Sequence, residues 1–547
     1  MPRMTGGQAI VNSLRTHGVD TVFGLPGGQM DHFFDAMYLE GDALQVIHSR
    51  HEQGAAYMAY GYAQSTGRVG TYAVVPGPGL LNSTAALATA WANNAPVLCV
   101  SGQVPASGID KGYGHLHEIN DQLGLIRHLT KWAERIEQPE DVPGQIAEAF
   151  RQLRTGRPRP VEVEMAMDVM AMQADVEPLE PVIEYPLPPI DLDRIDAAAK
   201  LLAEAKRPMI VIGSGALDAG EALLAVAEVL QAPVMSKRKG RGVIDDRYYL
   251  SQNLPAGHRL WAETDAVLAV GTRLMMPLTM WGTDDEMKLI RVDIDPEEIT
   301  RICDPDVGIV GDATMVMTAL HDALQKYNRG RSSREEELTR LKARVGQEIR
   351  EHVAPQAAYL DVIRDVLPDD GIFVDEITQV GFVSWYAFPV YRPRQFITAG
   401  NQGTLGYGYA TALGVAIANP GKQVVQVSGD GGFMFTVQEL STAVQHQIDL
   451  VTVIFNDNKF ANVERQQDEW FGGRNICTDL SNPDFVRLAE AFGATGYRAE
   501  SPDQLRTVLT EAFQAGGPVL IEVPVAERMP SPWRFIMMEQ TRKQLCQ

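Results

Sequence analysis

Short apolar runs alternate with helical periodicity from one end of the chain to the other, the pattern of strands and helices taken in turn. Runs at 96–100, 208–212, 266–270, 289–294, 424–427, 450–455 and 519–523 read as strands, and the first twenty residues as an amphipathic helix. Two stretches break the alternation. Residues 173–190 are rich in Pro and Glu and cannot form a regular helix. Residues 330–354 are highly charged and read as an exposed helix leading into a new unit. Together they divide the chain into three α/β blocks, 1–172, 191–329 and 355–547, with no short repeat.

Length agrees with several cores, since 547 residues exceed what one hydrophobic core supports. Composition removes whole classes of function. The net charge is −22 and basic runs are short, such as 237–239, which excludes a nucleic-acid binder. No run of eighteen apolar residues and no cleavable leader is seen, so neither a membrane span nor secretion is expected. The cysteines at 99, 303, 477 and 546 are far apart and form no CxxC pair. That argues against a zinc knuckle or disulfide framework, and for a soluble protein of the reducing cytoplasm.

The strongest chemical signal is Ser428-Gly429-Asp430-Gly431-Gly432, directly after the run 424–427. A helical pattern to about 447 follows, then the run 450–455, ending in Asn456-Asp457-Asn458. A strand–helix–strand unit brings both strand ends to one edge of a parallel sheet, so Asp430 and Asp457 can face one pocket. Gly429, Gly431 and Gly432 let the backbone approach an anion, and the helix start offers free N–H donors. Two hard oxygen ligands beside a phosphate-receiving loop suit a magnesium–diphosphate complex.

This spacing resembles the cofactor motif of thiamine-diphosphate enzymes, acetolactate synthases among them. The resemblance implies three doubly wound parallel-sheet α/β domains: pyrimidine-binding (1–172), middle (191–329) and diphosphate-binding (355–547). It makes Asp430, Asp457 and the carbonyl of Lys459 the magnesium ligands, although Asp457 stands where the family usually has Asn. A second match is Arg50-His51-Glu52-Gln53-Gly54, opening a helix of small residues. There the resemblance makes Glu52 the group that bonds the cofactor's pyrimidine and drives its amino group to the imino form, which deprotonates the thiazolium. Leu405, within the glycine-rich loop 400–408, takes the place of the residue that bends the cofactor. Pro26, Gly77, Asn82, Thr378, Gln379, Gly403 and Phe460 fall at further cofactor-binding positions. Because the family pairs the first domain of one subunit with the third of another, a homodimer or homotetramer is implied.

On the substrate side, counting back from Thr130-Lys131 places His117-Glu118 where related enzymes carry residues over the thiazolium. A histidine and a carboxylate there could shuttle protons or hold a carbonyl. Gln29, after the turn 24–28, is a further candidate for the cavity. Leu274-Met275-Met276-Pro277 stands where flavin-containing relatives have Phe-Asp-Asp-Arg, which makes FAD doubtful. The expected reaction is decarboxylation of a small 2-oxo acid, followed by protonation or carboligation. A 2-hydroxyacyl-CoA lyase or oxalyl-CoA decarboxylase is the alternative, needing a nucleotide pocket near Gly213-Ser214-Gly215. A flavin-dependent 2-oxo acid oxidase is a third.

Overall fold

The computed structural model describes residues 1–182, 184–328 and 330–546. These form three six-stranded sheets, parallel throughout, flanked by helices. The first sheet runs Gln45–His48, Thr21–Gly24, Gly70–Val74, Val97–Gln103, Val161–Ala166, Trp132–Ile136. The third runs Phe396–Ile397, Ile372–Val374, Val424–Gly429, Leu450–Asn456, Pro518–Pro524, Thr495–Arg498. Numbered along the chain within each sheet, both have the order 2-1-3-4-6-5. The middle sheet, from Ser251–Gln252 through Pro208–Ile212 to Val307–Val310, has the order 3-2-1-4-5-6, the order of dinucleotide-binding sheets. In such sheets ligands settle where the strand order reverses, beyond the carboxyl ends of the two strands that flank the reversal.

The strand positions follow the apolar runs closely, as at Pro208–Ile212 and Ala266–Val270. Three features depart from the sequence reading. The pattern after Asp430 is three short pieces, Asp430–Met434, Val437–Glu439 and Leu440–Gln445, and not one helix. It breaks at Thr436, whose hydroxyl donates to the Gly406 carbonyl and holds the backbone in an extended φ. The Pro- and Glu-rich stretch begins with a strand, Gln173–Asp175, paired antiparallel with Arg3–Thr5. The C-terminal tail leaves the third sheet and lies against the middle domain, where Thr283 and Gln544 exchange backbone hydrogen bonds.

The first and third domains are joined by two helices packed backbone to backbone, Glu52–Thr66 and Tyr407–Ala418. A Cβ on Gly61 would overlap the Thr411 carbonyl, and one on Gly414 would overlap that of Met58. The small residues of the first helix are thus a packing requirement. Among the described residues no helix is long and apolar enough to cross a membrane.

Candidate active site

In the third sheet the order reverses between Ile372–Val374 and Val424–Gly429, and the chemistry gathers at their carboxyl ends. Asp430 opens a short helix and is buried. Asn482 Nδ2 donates to Asp430 Oδ2 at 2.6 Å and lies 3.2 Å from the side-chain oxygens of Asn456 and Asn458. Asp457 Oδ1 accepts from the Lys459 amide at 3.1 Å. Burial raises the Asp430 carboxyl above the usual carboxylate range. Burial, helped by the Asp430 charge, pushes Asp457 up to about 6. Two desolvated carboxylates acting on each other are a place where a cation would be strongly favoured. Among the described residues no group of three or more His, Cys, Asp or Glu is gathered as a metal site. A metal here would therefore need oxygens from a ligand, which is what a diphosphate supplies.

The surrounding loops are glycine-bearing and closely packed. A Cβ on Gly431 would meet the Phe460 ring at 2.6 Å, and one on Gly429 would press on Thr378 at 3.3 Å. Gln379 is buried, 3.4 Å from Arg465 Nη2. Gly403 and Gly406 take positive φ, 58° and 79°, so the loop turns where a side chain would strain it. Leu405 between them is half-buried, short of the full burial a core leucine would have. Beneath this loop Glu376 accepts from the amides of Ile377 (2.9 Å) and Gly408 (2.7 Å), and burial pushes its carboxyl up to about 8.

The first sheet reverses between Thr21–Gly24 and Gly70–Val74, and a second group gathers there. Glu52 begins its helix with 9% of its surface exposed. Asn82 Nδ2 donates to Glu52 Oε2 at 2.9 Å. Oε1 faces Gly79, 3.5 Å from where a Cβ there would stand. Gly77 takes φ 58° beside the His117 carbonyl, a conformation and a fit open to glycine alone. Its amide donates to Gln122 Oε1 at 2.9 Å, and Gln122 Nε2 donates to Gly102 O and Glu164 Oε2.

Gln29 and His117, 88 positions apart, meet over this loop. Gln29 Nε2 donates to the Leu116 carbonyl at 2.9 Å, so its oxygen is the atom facing His117 Nδ1 at 3.1 Å. That oxygen can only accept, which puts a proton on Nδ1 and leaves Nε2 of the neutral ring as a base. Glu118 does not join them. Its carboxylate accepts from the amides of Tyr113 and His115, at 3.2 and 2.8 Å, and those amides hold it below the usual range. Pro26 is exposed at the end of the first strand's loop. Lys131, the anchor for the count to His117, is spent on the carbonyls of Gln152, Thr155 and Arg157.

Comparison with known proteins settles the family. Residues 4–125, 195–320 and 376–523 match the N-terminal TPP-binding, central and C-terminal TPP-binding domains of thiamine pyrophosphate enzymes. The chain belongs to the thiamine pyrophosphate enzymes. It is 34% identical to a "Probable acetolactate synthase large subunit" of Methanocaldococcus jannaschii, over 96% of this chain and 93% of that one. It is 33% identical to the acetolactate synthase isozyme 2 large subunit of Escherichia coli, over 97% of each. It is also 34% identical to a "Probable 2-ketoarginine decarboxylase" of Pseudomonas aeruginosa, over 95% of this chain and 94% of that one.

Three residues that sequence reading missed support the loops it singled out. Gln122 bonds Gly77, Asn482 bonds Asp430 and Glu376 bonds Gly408, yet none sits in a motif of its own. The middle domain also holds more than Gly213-Ser214-Gly215 promised. A cavity of about 580 Å³ opens at that sheet's reversal, lined by this loop, Gly271 and the cations Arg157, Lys237, Lys239 and Arg273. Burial pushes Lys237 and Lys239 down to about 7.

Proposed function

We propose that the enzyme uses thiamine diphosphate and Mg²⁺ to decarboxylate a small 2-oxo acid, then protonates the product or joins it to a second carbonyl compound. The observation that carries this is the facing pair Asp430 and Asp457, desolvated at the third sheet's reversal beside glycine amides. Asp430, Asp457 and the Lys459 carbonyl would hold the metal, with Thr378, Gln379, Gly403 and Gly429 through Gly432 around the diphosphate. Thiamine diphosphate, when bound, supplies a carbon nucleophile and an electron sink at the substrate's keto carbon. Glu52 holds a proton at the pyrimidine, oriented by Asn82. Leu405 supports the bend between the cofactor's rings. His117, its tautomer set by Gln29, moves a proton at the substrate through Nε2. Glu118 shapes the 112–118 turn that carries His117. Steady-state assay against 2-oxo acids and acyl-CoA thioesters, with products identified, tests the reading. Turnover of thioesters alone would overturn it.

Each half-site is bordered by exposed apolar side chains. Leu116 is 72% exposed beside His117, and Trp470 and Ile476 are 67% and 72% exposed near the metal turn. Such surfaces favour a second copy of the chain, pairing Glu52 of one subunit with Asp430 of the other, in a dimer or a homotetramer. Mixing Glu52→Gln chains with Asp430→Ala chains then restores activity, because one site of each hybrid is intact. No recovery after subunit exchange would refute this pairing. The acidic composition and widely spaced thiols support a cytoplasmic enzyme.

The middle-domain cavity favours a second reading, a 2-hydroxyacyl-CoA or oxalyl-CoA enzyme, since glycines and cations suit a nucleotide diphosphate. FAD would use the same donors, as in a 2-oxo acid oxidase. Flavin absorbance of the purified protein separates flavin from coenzyme A.

A further inference from the structure

The four cysteines look unrelated in sequence, and two of them are not. Cys303 follows the short helix Pro296–Thr300 of the middle domain, and Cys546 lies near the end of the tail. Their sulfurs are 2.7 Å apart across 243 positions of chain. That is inside the contact distance of two unbonded sulfurs.

Cys546 is held there by several backbone contacts. Its amide donates to the Leu278 carbonyl at 3.1 Å. Two residues earlier, Thr283 N donates to Gln544 O at 2.6 Å and Gln544 N to Thr283 O at 3.0 Å. Arg542 Nε donates to the Trp261 carbonyl at 3.1 Å, and its guanidinium pairs with Asp284. The tail is thus laid along residues 278–284 as an added edge strand would be. Gly282 accommodates it, because a Cβ there would strike the Arg542 and Gln544 carbonyls. Both cysteines are partly exposed, so a small oxidant reaches them.

A cation completes the arrangement. Arg291 is buried, its charge acts on both sulfurs, and among the described residues its Nη1 has no hydrogen-bond partner. A cation beside a thiol favours the thiolate, the form that oxidants attack. Burial and the neighbouring thiol push Cys303 up to about 12, so the closeness of the two sulfurs, and not thiolate character, is what favours the bond.

We propose that Cys303 and Cys546 are the site of a reversible intramolecular disulfide that fastens the C-terminal tail to the middle domain. A peroxide oxidises one thiol, through its thiolate, to a sulfenic acid; its O–O bond breaks and the departing hydroxide takes up the thiol's proton as water. The second sulfur then displaces the hydroxyl, the S–S bond forms, and a second water departs. Two thiols and one peroxide become one disulfide and two waters. A dithiol reductant reverses the bond by exchange. Because the tail starts from the third sheet, the bond ties that domain to the middle domain at both of its ends. On its way the tail passes the helix Ala461–Phe471, where Trp533 Nε1 donates to Asn462 and Arg465 donates to the Met529 carbonyl.

The test is oxidation of the purified full-length enzyme with hydrogen peroxide, then non-reducing peptide mapping. The expected product is one linked peptide pair, Cys303 with Cys546, formed at the same rate on dilution and reversed by dithiothreitol. Proteolytic cleavage within residues 537–545 should slow about tenfold in the oxidised enzyme, since cleavage requires the tail to open. Cys303→Ser and Cys546→Ser should each abolish the linkage and the protection, with reduced-state activity unchanged. The exposed Cys477 is the internal control for general oxidation. Cys477 oxidised while Cys303 stays a free thiol would overturn the proposal. So would a Cys303–Cys546 link found only in covalent dimers.

Discussion

Replacing Glu52 with Gln is the substitution that asks most of the site. The carboxylate has two oxygens with different tasks. Oε2 accepts from Asn82 at 2.9 Å, and Oε1 is turned toward Gly79 and the open side of the loop. Gln keeps the shape and can keep the Asn82 bond through its own oxygen. Its N–H₂ then stands where Oε1 was, a donor in place of an ionised acceptor. A positioned acid–base group contributes about 10²–10⁴-fold, or about 2.7–5.5 kcal/mol of barrier. Exchange of the cofactor's C2 proton, followed by NMR after rapid mixing into D₂O, should slow by that factor in Glu52→Gln. Cofactor affinity should change less than about tenfold, because the proposed metal and diphosphate positions lie on the other sheet. Asn82→Ala should slow exchange about tenfold, since a hydrogen bond to a charged group is worth about 1.5–3 kcal/mol and water replaces part of it at this exposed residue. Wild-type exchange in Glu52→Gln would remove Glu52 from activation, whatever the variant's turnover.

Four other outcomes are expected. Asp430→Ala should weaken Mg²⁺-dependent thiamine diphosphate binding by more than about 100-fold in calorimetry, whereas Asp457→Asn should stay within about threefold, both keeping a hard oxygen only in the second case. His117→Ala and Gln29→Leu should leave C2 exchange intact and lower kcat together, roughly 10- to 10³-fold, while Glu118→Ala should do less and act through loop order; equal kcat losses at 117 and 118 would contradict the separation of their side chains. Gln122→Leu leaves the Gly77 amide without a partner at about 1–3 kcal/mol and takes one donor from Glu164, which keeps Arg135, so both stability and cofactor affinity should fall, and an unaltered affinity would detach Gln122 from the site. Gly61→Ala should cost more than about 3 kcal/mol in denaturant unfolding, because the Thr411 carbonyl occupies the place of the new methyl.

How far the site could be read in the sequence follows from how local each part is. Asp430, its glycines and Asp457 belong to one strand–helix–strand unit, where chain order alone brings the strand ends together. Glu52 sits at a helix start and Gly77 in a tight turn, both short-range signals. Gln122, which opens the short helix Gln122–Arg127, meets Gly77 across 45 positions, and Asn482, in a loop with no periodicity, meets Asp430 across 52. His117 and Glu118 adjoin in sequence and point apart, because His117 takes a positive φ of 66°. No count along the chain reveals such a reversal. The thiols at 303 and 546 were invisible for the same reason, since only the path of the tail joins them.

The topology explains why the chemistry is divided as it is. Two sheets of order 2-1-3-4-6-5 offer like crevices, yet their loops have opposite characters. The first crevice holds neutral and basic groups, Gln29 and His117, beside the carboxylate of Glu52, which an amide steadies. The third holds two carboxylates and glycine amides, a place for a cation and the anion it bridges. Neither crevice alone can both anchor a diphosphate and work on a pyrimidine. The chain joins the two domains through a helix contact too tight to slide, with glycines at 61 and 414 against backbone carbonyls. Arg50 N also donates to both oxygens of Glu439, at 3.2 and 3.1 Å, where the loop after Asp430 meets the loop before Glu52. That rigid junction fixes how each domain is presented outward. The His117 loop joins a positive φ of 66° at His117 to an exposed turn, and the function proposed above assigns it the shape at the reacting carbonyl.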